Sequence, residues 1–451
     1  MTYRELLSSN PDFRRLWVGQ VVSEIGDWLS SVAVLALAIQ LAGAGREGMA
    51  VAVYAIARHL PLFLFGPLAG VVSDRVDRRR VMIRSDLVRA FLALGFLFAS
   101  RRSSLQAIYV IGAGLFAVSA FFNAAKRAAL PNLVRGAGAL LAANSLSAST
   151  TAATIAVGSA LGGLIATFVG RDPVFLLNAL TFIFSAEMIR RIIAPMQKRE
   201  EAADGPERRA ALDEKAVGSD KGPGSKRITI GAVLGRTVFD FREGLRYVRG
   251  NRVLSAVFVV AAGWGLGNGV ARALYSVFGA RLGQEAAAGL VQRPTDFGIS
   301  VLFVAMGLGG VIGAPMARRF NAGSGLELAS RMGRSIILDG CGLTLFSLMP
   351  NLWGASLVLV AREINFAIWW TAQQTLMMSS TEDRFSGRVF ASYETLTTLM
   401  MVAAMLASGA AADTYGIRRV AAAGGIVIVA SGLLWFVLRG RAYNERPLEK
   451  S

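Results

Sequence analysis

Long apolar runs alternate with short polar segments along most of the chain. A helix needs about 20 mainly apolar residues to cross the hydrocarbon core of a membrane. Twelve runs of this kind are present, at 15–41, 49–72, 81–99, 104–125, 144–169, 173–193, 253–279, 297–317, 332–349, 352–378, 389–412 and 417–438. The runs are continuous, unlike the alternating strands of a membrane barrel. The pattern therefore predicts an all-α integral membrane protein with twelve transmembrane helices.

A charged segment divides the twelve runs into two sets of six. Residues 194–227 are rich in charged residues, Gly and Pro and cannot bury a core, so we predict a linker there. Residues 232–249 place apolar side chains at helical spacing between arginines, which predicts an amphipathic helix on the membrane surface or on the rest of the protein. We expect four regions: an N-terminal six-helix bundle at 1–193, a cytoplasmic linker with this helix at 194–252, a C-terminal six-helix bundle at 253–438 and a cytoplasmic tail at 439–451.

The composition and the charge agree with a membrane location. Hydrophobic residues make up 54% of the chain and charged residues only 17%, below the roughly 25% charged residues of soluble proteins. The net charge of +18 comes mainly from segments that face the cytoplasm if the N-terminus does so, as the positive-inside rule requires. We therefore predict the bacterial inner membrane, both termini in the cytoplasm, contact with anionic membrane lipid and no nucleic-acid partner.

A basic cluster interrupts the apolar pattern between the second and third runs. It contains Gly70, Asp74, Arg75, Arg78 and Arg79 in the order Gly-x-x-x-Asp-Arg-x-x-Arg-Arg. A glycine at the end of a helix lets another helix approach, and a carboxylate is stabilised at the positive end of a neighbouring helix. Topology alone accounts for the arginines but leaves Gly70 and Asp74 unexplained.

In this position the cluster resembles a motif of the major facilitator superfamily, a family of membrane transporters with two six-helix bundles. The segments NPDFRRLWVGQVVSEIGDWL, NAAKRAALPNLV, FREGLRYVRGNRVL and DRFSGRVFA are similar to its exporter branch, which includes macrolide-efflux and enterobactin-export proteins. The resemblance implies that the cluster closes the cytoplasmic side of the transporter during part of its cycle. Its partners would be Asp383 and Arg388, in the segment that leads into the eleventh run.

Two acidic residues in the first run are candidates for ion coupling. Glu24 and Asp27 are three residues apart, so they share one face of a helix that lines the central cavity in the resembled fold. Ionisable groups inside a membrane are costly to bury and are usually functional. We predict that this pair carries protons during transport. Two alternatives are a structural ion pair with Arg58 or Arg89, and sodium binding by the two carboxylates with nearby Ser hydroxyls.

Polar and aromatic residues in the fourth, seventh and tenth runs are candidates for binding cargo. The resemblance places these helices along the central cavity, where aromatic rings stack on cargo and polar groups orient it. The predicted cavity residues are Asn123, Trp264, Asn268, Arg272, Arg362, Glu363, Asn365, Trp369 and Gln373. The arginines would favour an anionic cargo. Alternatively, Arg362 and Glu363 only neutralise groups on neighbouring helices.

Together these patterns predict a secondary active transporter, in the leading interpretation a proton-coupled exporter of amphipathic small molecules. The alternatives are a carrier of a specific anionic metabolite, siderophore or lysophospholipid, and a receptor or scaffold that has kept the fold without transport. The sequence has no Gly-Lys-Ser/Thr phosphate loop and no cluster of metal ligands, so we expect no cofactor, no metal and no enzymatic activity. We expect a monomer.

Overall fold

The computed structural model describes residues 2–134, 136–197, 230–321 and 325–443, and the regular secondary structure of these ranges is helical. The helices are α1 (Tyr3–Ser9), α2 (Pro11–Ala42), α3 (Glu47–Arg75), α4 (Arg78–Arg101), α5 (Leu105–Leu133), α6 (Ala137–Phe168), α7 (Arg171–Arg190), α8 (Ile230–Gly250), α9 (Arg252–Ala287), α10 (Pro294–Phe320), α11 (Gly325–Leu348), α12 (Leu352–Ser379), α13 (Asp383–Tyr415) and α14 (Ile417–Tyr443).

Ten of the described helices are long and apolar enough to cross a membrane, namely α2, α3, α5, α6, α7, α9, α10, α12, α13 and α14. Ten of the twelve predicted spans thus correspond to helices of this kind. The predicted third and ninth spans correspond to α4 and α11, which have the length but carry more charged side chains. Both nevertheless lie among the other helices, because α4 packs on α5 and α7, and α11 packs on α12 and α14.

Short polar side chains fix where several of these helices begin. Asn10, Asp77, Ser104, Asn251 and Asn351 each accept a hydrogen bond from a backbone N–H of the first helical turn. Such caps satisfy donors that have no partner within the helix. The polar breaks between the apolar runs therefore do more than separate the spans, because they also set the first residue of the next helix.

The second half of the chain repeats the packing pattern of the first. In the first half, α2 packs on α6 and α7, α4 packs on α5 and α7, and α3 packs on α5. In the second half, α9 packs on α13 and α14, α11 packs on α12 and α14, and α10 packs on α12. Each of these pairings in the first half thus has its equivalent six predicted spans later.

The two halves contact each other mainly through two helix pairs, α6 with α10 and α3 with α13. Glycines allow both close approaches. A Cβ atom on Gly307 of α10 would collide with the backbone of Ala156 on α6, and one on Gly409 of α13 would lie 2.6 Å from the Cβ of Ala52 on α3. Small residues of this kind let helix backbones pack closely within a membrane.

Consecutive long helices are antiparallel, so the loops lie at two faces of the helix stack. We call the face at which α2 begins and α14 ends the terminal face. The loops that follow α3, α5 and α12 lie there, and the loops that follow α2, α4, α6 and α9 lie at the opposite face.

Candidate functional site

The two predicted coupling residues lie on α2 and face different partners. Glu24 is half-buried and accepts hydrogen bonds from Gln20 Nε2 at 2.8 Å and from Thr154 Oγ1 of α6 at 3.2 Å. Asp27, one turn further along, lies within electrostatic range of Glu24, Arg58 and Arg89. The structure therefore brings Asp27 close to two arginines, and Glu24 close to Lys126 of α5, within the first half.

Arg58 of α3 lies beside these carboxylates and rests on aromatic rings. Its Nη1 donates a hydrogen bond to Ser31 Oγ at 3.1 Å. The guanidinium carbon lies 4.8 Å from the ring centre of Trp28 and 4.9 Å from that of Phe116. Stacking on aromatic faces stabilises a cation by a cation–π interaction. Within the described ranges, Arg58 is thus held in place without a carboxylate in direct contact.

Three of the predicted cavity residues of the second half, Arg272, Glu363 and Asn365, are exposed or half-buried. Arg272 of α9 is exposed and lies within electrostatic range of Glu363 on α12 and of Arg58 on α3. Asn365 of α12 is half-buried and donates a hydrogen bond to Ser335 O at 2.8 Å. In the first half, Asn123 of α5 is also half-buried.

The remaining predicted cavity residues are packed inside the second half. Arg362 forms a buried ion pair with Asp339 of α11, with Nε 2.9 Å from Oδ1, and Trp264 Nε1 donates to the same carboxylate at 3.1 Å. Trp369 packs on Trp264 with ring centres 4.4 Å apart and ring planes tilted by 35°. Asn268 and Gln373 are buried as well. The sequence places Arg362 on a predicted cavity helix. It does not show that Arg362 pairs with Asp339 of a third helix and is therefore buried inside the second half.

The first half contains an equivalent buried ion pair, formed by Asp86 and Arg89 of α4. The guanidinium of Arg89 lies between two aromatic rings, 4.1 Å from the centre of Phe122 and 4.5 Å from that of Phe182. Each half therefore neutralises one central arginine with a carboxylate of its own.

The basic cluster at 70–79 lies at the terminal face and bonds to its own half. Arg78 donates to the backbone oxygens of Ala128 and Met196, and Arg79 donates to Ala194 O. Asp74 is 73% exposed, with its Oδ1 3.9 Å from Arg78. A Cβ atom on Gly70 would meet no atom within 4 Å.

The predicted partners of this cluster lie at the start of α13, against α8. Arg388 pairs with Glu243 of α8 at 3.1 Å, and Tyr247 of α8 stacks on Phe385 with ring centres 4.4 Å apart. The side chain of Asp383 lies outside the described residues, as does the linker from 198 to 229. The amphipathic segment thus packs on protein, and Arg388 contacts α8 rather than the 70–79 loop in this conformation.

At the opposite face, three polar residues join the two halves. Arg171, at the start of α7, forms a two-pronged ion pair with Asp296 of α10, with N–O distances of 2.9 and 2.7 Å, and also donates to Gln40 of α2 at 2.7 Å. Asp296 is fully buried and Arg171 is 7% exposed. We call Gln40, Arg171 and Asp296 the opposite-face latch.

A second polar contact closes the same face. Asp413, near the end of α13, accepts hydrogen bonds from the backbone N–H groups of Gly48 and Met49 at 2.9 and 3.0 Å. These groups open α3, so a carboxylate of one half caps a helix of the other. Sequence reasoning missed both contacts. The signal available was an acidic residue at the end of an apolar run, which by itself identifies no partner.

The chain is similar to several bacterial proteins that are named as membrane transporters or exporters. Residues 7–207 match the family described as a transmembrane secretion effector. The chain is 24% identical to the uncharacterized MFS-type transporter YfiS of Bacillus subtilis, covering 99% of this chain and 97% of that protein. It is 24% identical to the putative bacilysin exporter BacE of Bacillus subtilis, covering 84% and 83%. It is 35% identical to macrolide efflux protein A of Streptococcus pyogenes over 17% of this chain and 18% of that protein.

Solved structures share the fold at low sequence identity. A bacterial homologue of the iron transporter ferroportin, in an inward-facing state, matches with a TM-score of 0.67 and 13% identity, covering 95% of this chain and 98% of that one. The nucleoside transporter NupG matches with a TM-score of 0.66 and 11% identity, covering 95% and 99%.

Proposed function

We propose that this chain, a homologue of major facilitator superfamily transporters, is a proton-coupled exporter of amphipathic small molecules that works by alternating access. It would have twelve transmembrane helices, with α4 and α11 completing the two six-helix bundles, and both termini in the cytoplasm of a bacterium. The 194–252 segment would link the bundles on the cytoplasmic side.

The observation that carries this proposal is that charged side chains of both halves lie within electrostatic range of one another inside a stack of apolar helices. Asp27 and Arg58 come from the first half, and Arg272 and Glu363 come from the second. Charged side chains are rare within membrane-spanning helices and mark pathways for ions and solutes. Placement at the junction of two repeats is typical of secondary transporters.

The distribution of contacts between the halves supports alternating access. At the opposite face the latch and Asp413 join the halves. At the terminal face the arginines of the 70–79 cluster bond within the first half. With the terminal face in the cytoplasm, this conformation is closed to the outside. We propose that the reverse state brings Asp74 and the 70–79 arginines to the start of α13, near Asp383 and Arg388.

Two further points support export driven by protons. Two of the relatives are named as exporters or efflux proteins. Glu24 and Asp27 lie in the middle part of α2 within electrostatic range of cationic groups, so a change in their protonation would alter the electrostatic balance between the halves. In the proposal, protons that enter from outside bind this pair, release the cargo and favour the return to the inward-facing state. The chain would act as a monomer.

Transport in proteoliposomes tests this proposal. Purified protein is reconstituted and the movement of a panel of amphipathic dyes is followed under a proton gradient, and separately under a sodium gradient. We expect proton-dependent movement in the wild type and its loss in Asp27→Asn or Glu24→Gln. Asp172→Asn, at an exposed site of the opposite face, is the matched control and should transport normally.

Unchanged proton dependence in both carboxylate variants would exclude the pair as the coupling site. Movement driven by sodium alone would assign the pair to sodium. If no dye moves under either gradient, the scaffold interpretation would replace transport.

A further inference from the structure

Helix α8 packs one of its faces on the second half. Gly244 and Val248 are buried, and a Cβ atom on Gly244 would lie only 2.7 Å from the backbone oxygen of Arg388 on α13. Ser392 Oγ of α13 donates a hydrogen bond to Phe241 O at 3.3 Å. The packed face of α8 is therefore specified by direct contacts with α13.

The contacts along α8 also fix the level at which it lies. Tyr247 stacks on Phe385, and Asn251, which follows α8, donates from Nδ2 to Ser380 O at 3.0 Å. As α8 advances, its contacts thus move from Ser392 of α13 back to Ser380, so the two helices run antiparallel. The apolar run of α13 begins at 389. Helix α8 therefore lies where the terminal face of the helix stack meets the boundary between membrane and water.

The other face of α8 is basic. It consists of Phe239, Arg242, Arg246 and Arg249, which are all exposed, and we call it the basic stripe. At 3.6 residues per turn these four positions span about 80° of the helix circumference, roughly opposite Gly244. Within the described ranges, none of the three guanidinium groups forms an ion pair or a hydrogen bond. Three like charges therefore stand side by side without a carboxylate from those ranges.

We propose that the basic stripe binds the head groups of anionic phospholipids in the leaflet at the terminal face. A guanidinium presents parallel N–H donors that match two oxygens of a phosphate. Each arginine near an anionic membrane surface strengthens attachment about fivefold. The inference goes beyond the proposed transport function, since it needs only the location of the helices in a membrane.

The aromatic residue of the stripe favours a lipid surface over water. The ring of Phe239 is 63% exposed and lies on the same face as the arginines. Helices that lie at a membrane surface combine basic side chains with apolar ones that enter the boundary between head groups and acyl chains. Phe239 would insert there while the arginines bind phosphates.

The linker is the competing occupant of the stripe, because its carboxylates could also pair with the arginines. Residues 198–229 contain seven acidic and eight basic residues, so this segment has no excess of negative charge. An anionic lipid surface, in contrast, presents negative charge with no basic group beside it. Charge complementarity therefore favours lipid, and the linker becomes an outcome that the test can identify.

Lipid on the stripe would act on more than α8. The packed face of α8 contacts α13 and α9 of the second half and α3 of the first, and Glu243 pairs with Arg388 at the start of α13. Head groups that fasten α8 to the membrane surface would therefore also steady the start of α13, beside the contact between α3 and α13.

Hydrogen exchange of α8 in lipid nanodiscs tests the proposal. The full-length protein is placed in nanodiscs of phosphatidylcholine alone or of phosphatidylcholine mixed with phosphatidylglycerol, and deuterium uptake of residues 241–250 is measured by mass spectrometry. We expect phosphatidylglycerol to slow this exchange at least about tenfold in the wild type, since three arginines contribute. The triple variant Arg242→Gln, Arg246→Gln, Arg249→Gln should show no difference between the two lipid compositions.

Matched variants separate lipid binding from damage to the protein. Substitution of the same three arginines by Lys keeps the charge and should retain most of the slowing. Substitution of Arg101, Arg102 and Arg419 by Gln removes three exposed charges from the opposite face, and α8 should then respond like the wild type. Uptake in α9 should be the same in every variant. If the triple Gln variant changes α9, the single variant Arg246→Gln replaces it and should reduce the slowing about fivefold.

Three results would overturn the inference. Equal exchange of α8 in both lipid compositions would show that the stripe is only solvated. Faster exchange in the triple Gln variant, by the same factor in both compositions, would assign the stripe to the linker. Slowing by inorganic phosphate added to phosphatidylcholine nanodiscs would assign it to free phosphate. Absence of transport in proteoliposomes would refute the proposed function and leave the lipid result unchanged.

Discussion

The opposite-face latch should control which side of the protein is open. Asp296→Asn leaves the guanidinium of Arg171 buried, with Gln40 as its only polar partner described in the latch. Removing one partner of a buried ion pair costs about 3–5 kcal/mol, because the remaining charge loses its compensation. In the proposed open state both groups would be hydrated and this cost would be absent. The substitution should therefore raise the open population by at least about a hundredfold relative to the closed one.

A double substitution separates this mechanism from a simple loss of contacts. Arg171→Gln together with Asp296→Asn removes both charges, so no uncompensated charge stays buried. Replacing both partners by neutral groups is often nearly neutral in free energy. The double variant should therefore lie closer to the wild type than either single variant, a non-additivity expected for residues in direct contact.

The assay is alkylation of a cysteine placed in the α6–α10 contact. Ser300 is 6% exposed, one turn below Asp296, and packs against Gly163 of α6. In a Cys341→Ser background, Ser300→Cys should react slowly with a charged maleimide and much faster when Asp296→Asn is added. Asp172→Asn, which removes an exposed ion pair, should change the rate less than about fivefold. Equal rates in Asp296→Asn and Asp172→Asn, or a double variant as fast as the single one, would refute the reasoning.

Three other substitutions test the packing. Gly307→Val should destabilise the contact between α6 and α10 by about 1–3 kcal/mol and lower the thermal unfolding midpoint, whereas Gly66→Val, which meets open space, should leave it unchanged; equal midpoints would contradict this. Asp339→Asn should destabilise the second half by about 3–5 kcal/mol, since Arg362 stays buried; a loss below about 1 kcal/mol in a denaturant titration would contradict it. Glu243→Gln should increase hydrogen exchange in α8, because it loses its partly exposed ion pair with α13; unchanged exchange would show that aromatic stacking alone holds α8.

Much of the fold could be predicted from the sequence because each membrane helix must satisfy its own backbone, so the length of an apolar run nearly fixes the helix. The run predicted at 49–72 is helix Glu47–Arg75, and the family resemblance drawn from the 70–79 cluster is confirmed by the relatives. The residues at which the helices end were less predictable. Helix Arg252–Ala287 runs well past the predicted 253–279, because an apolar pattern does not show how far a helix continues beyond the membrane.

The candidate site could be predicted only in part, because its chemistry depends on partners far apart in sequence. Glu24 and Asp27 share a helix, so their proximity follows from spacing alone. Asp339 of α11 forms an ion pair with Arg362 of α12, and Asp296 of α10 forms one with Arg171 of α7, in the other half. A single sequence gives the residue types but not which helices cross, so the pairing of Arg362 and the position of the latch required the structure.

The glycine crossings have a mechanical consequence. The halves touch mainly along two helix pairs, α6 with α10 and α3 with α13, and bulky side chains are absent from the close contacts at Gly307 and Gly409. In the proposed transport cycle these two contacts would act as hinges. A rotation about the line that joins them sweeps the outer ends of the helices through large arcs and barely displaces whatever lies on that line. A group bound close to that line would thus stay nearly still while the helix ends move.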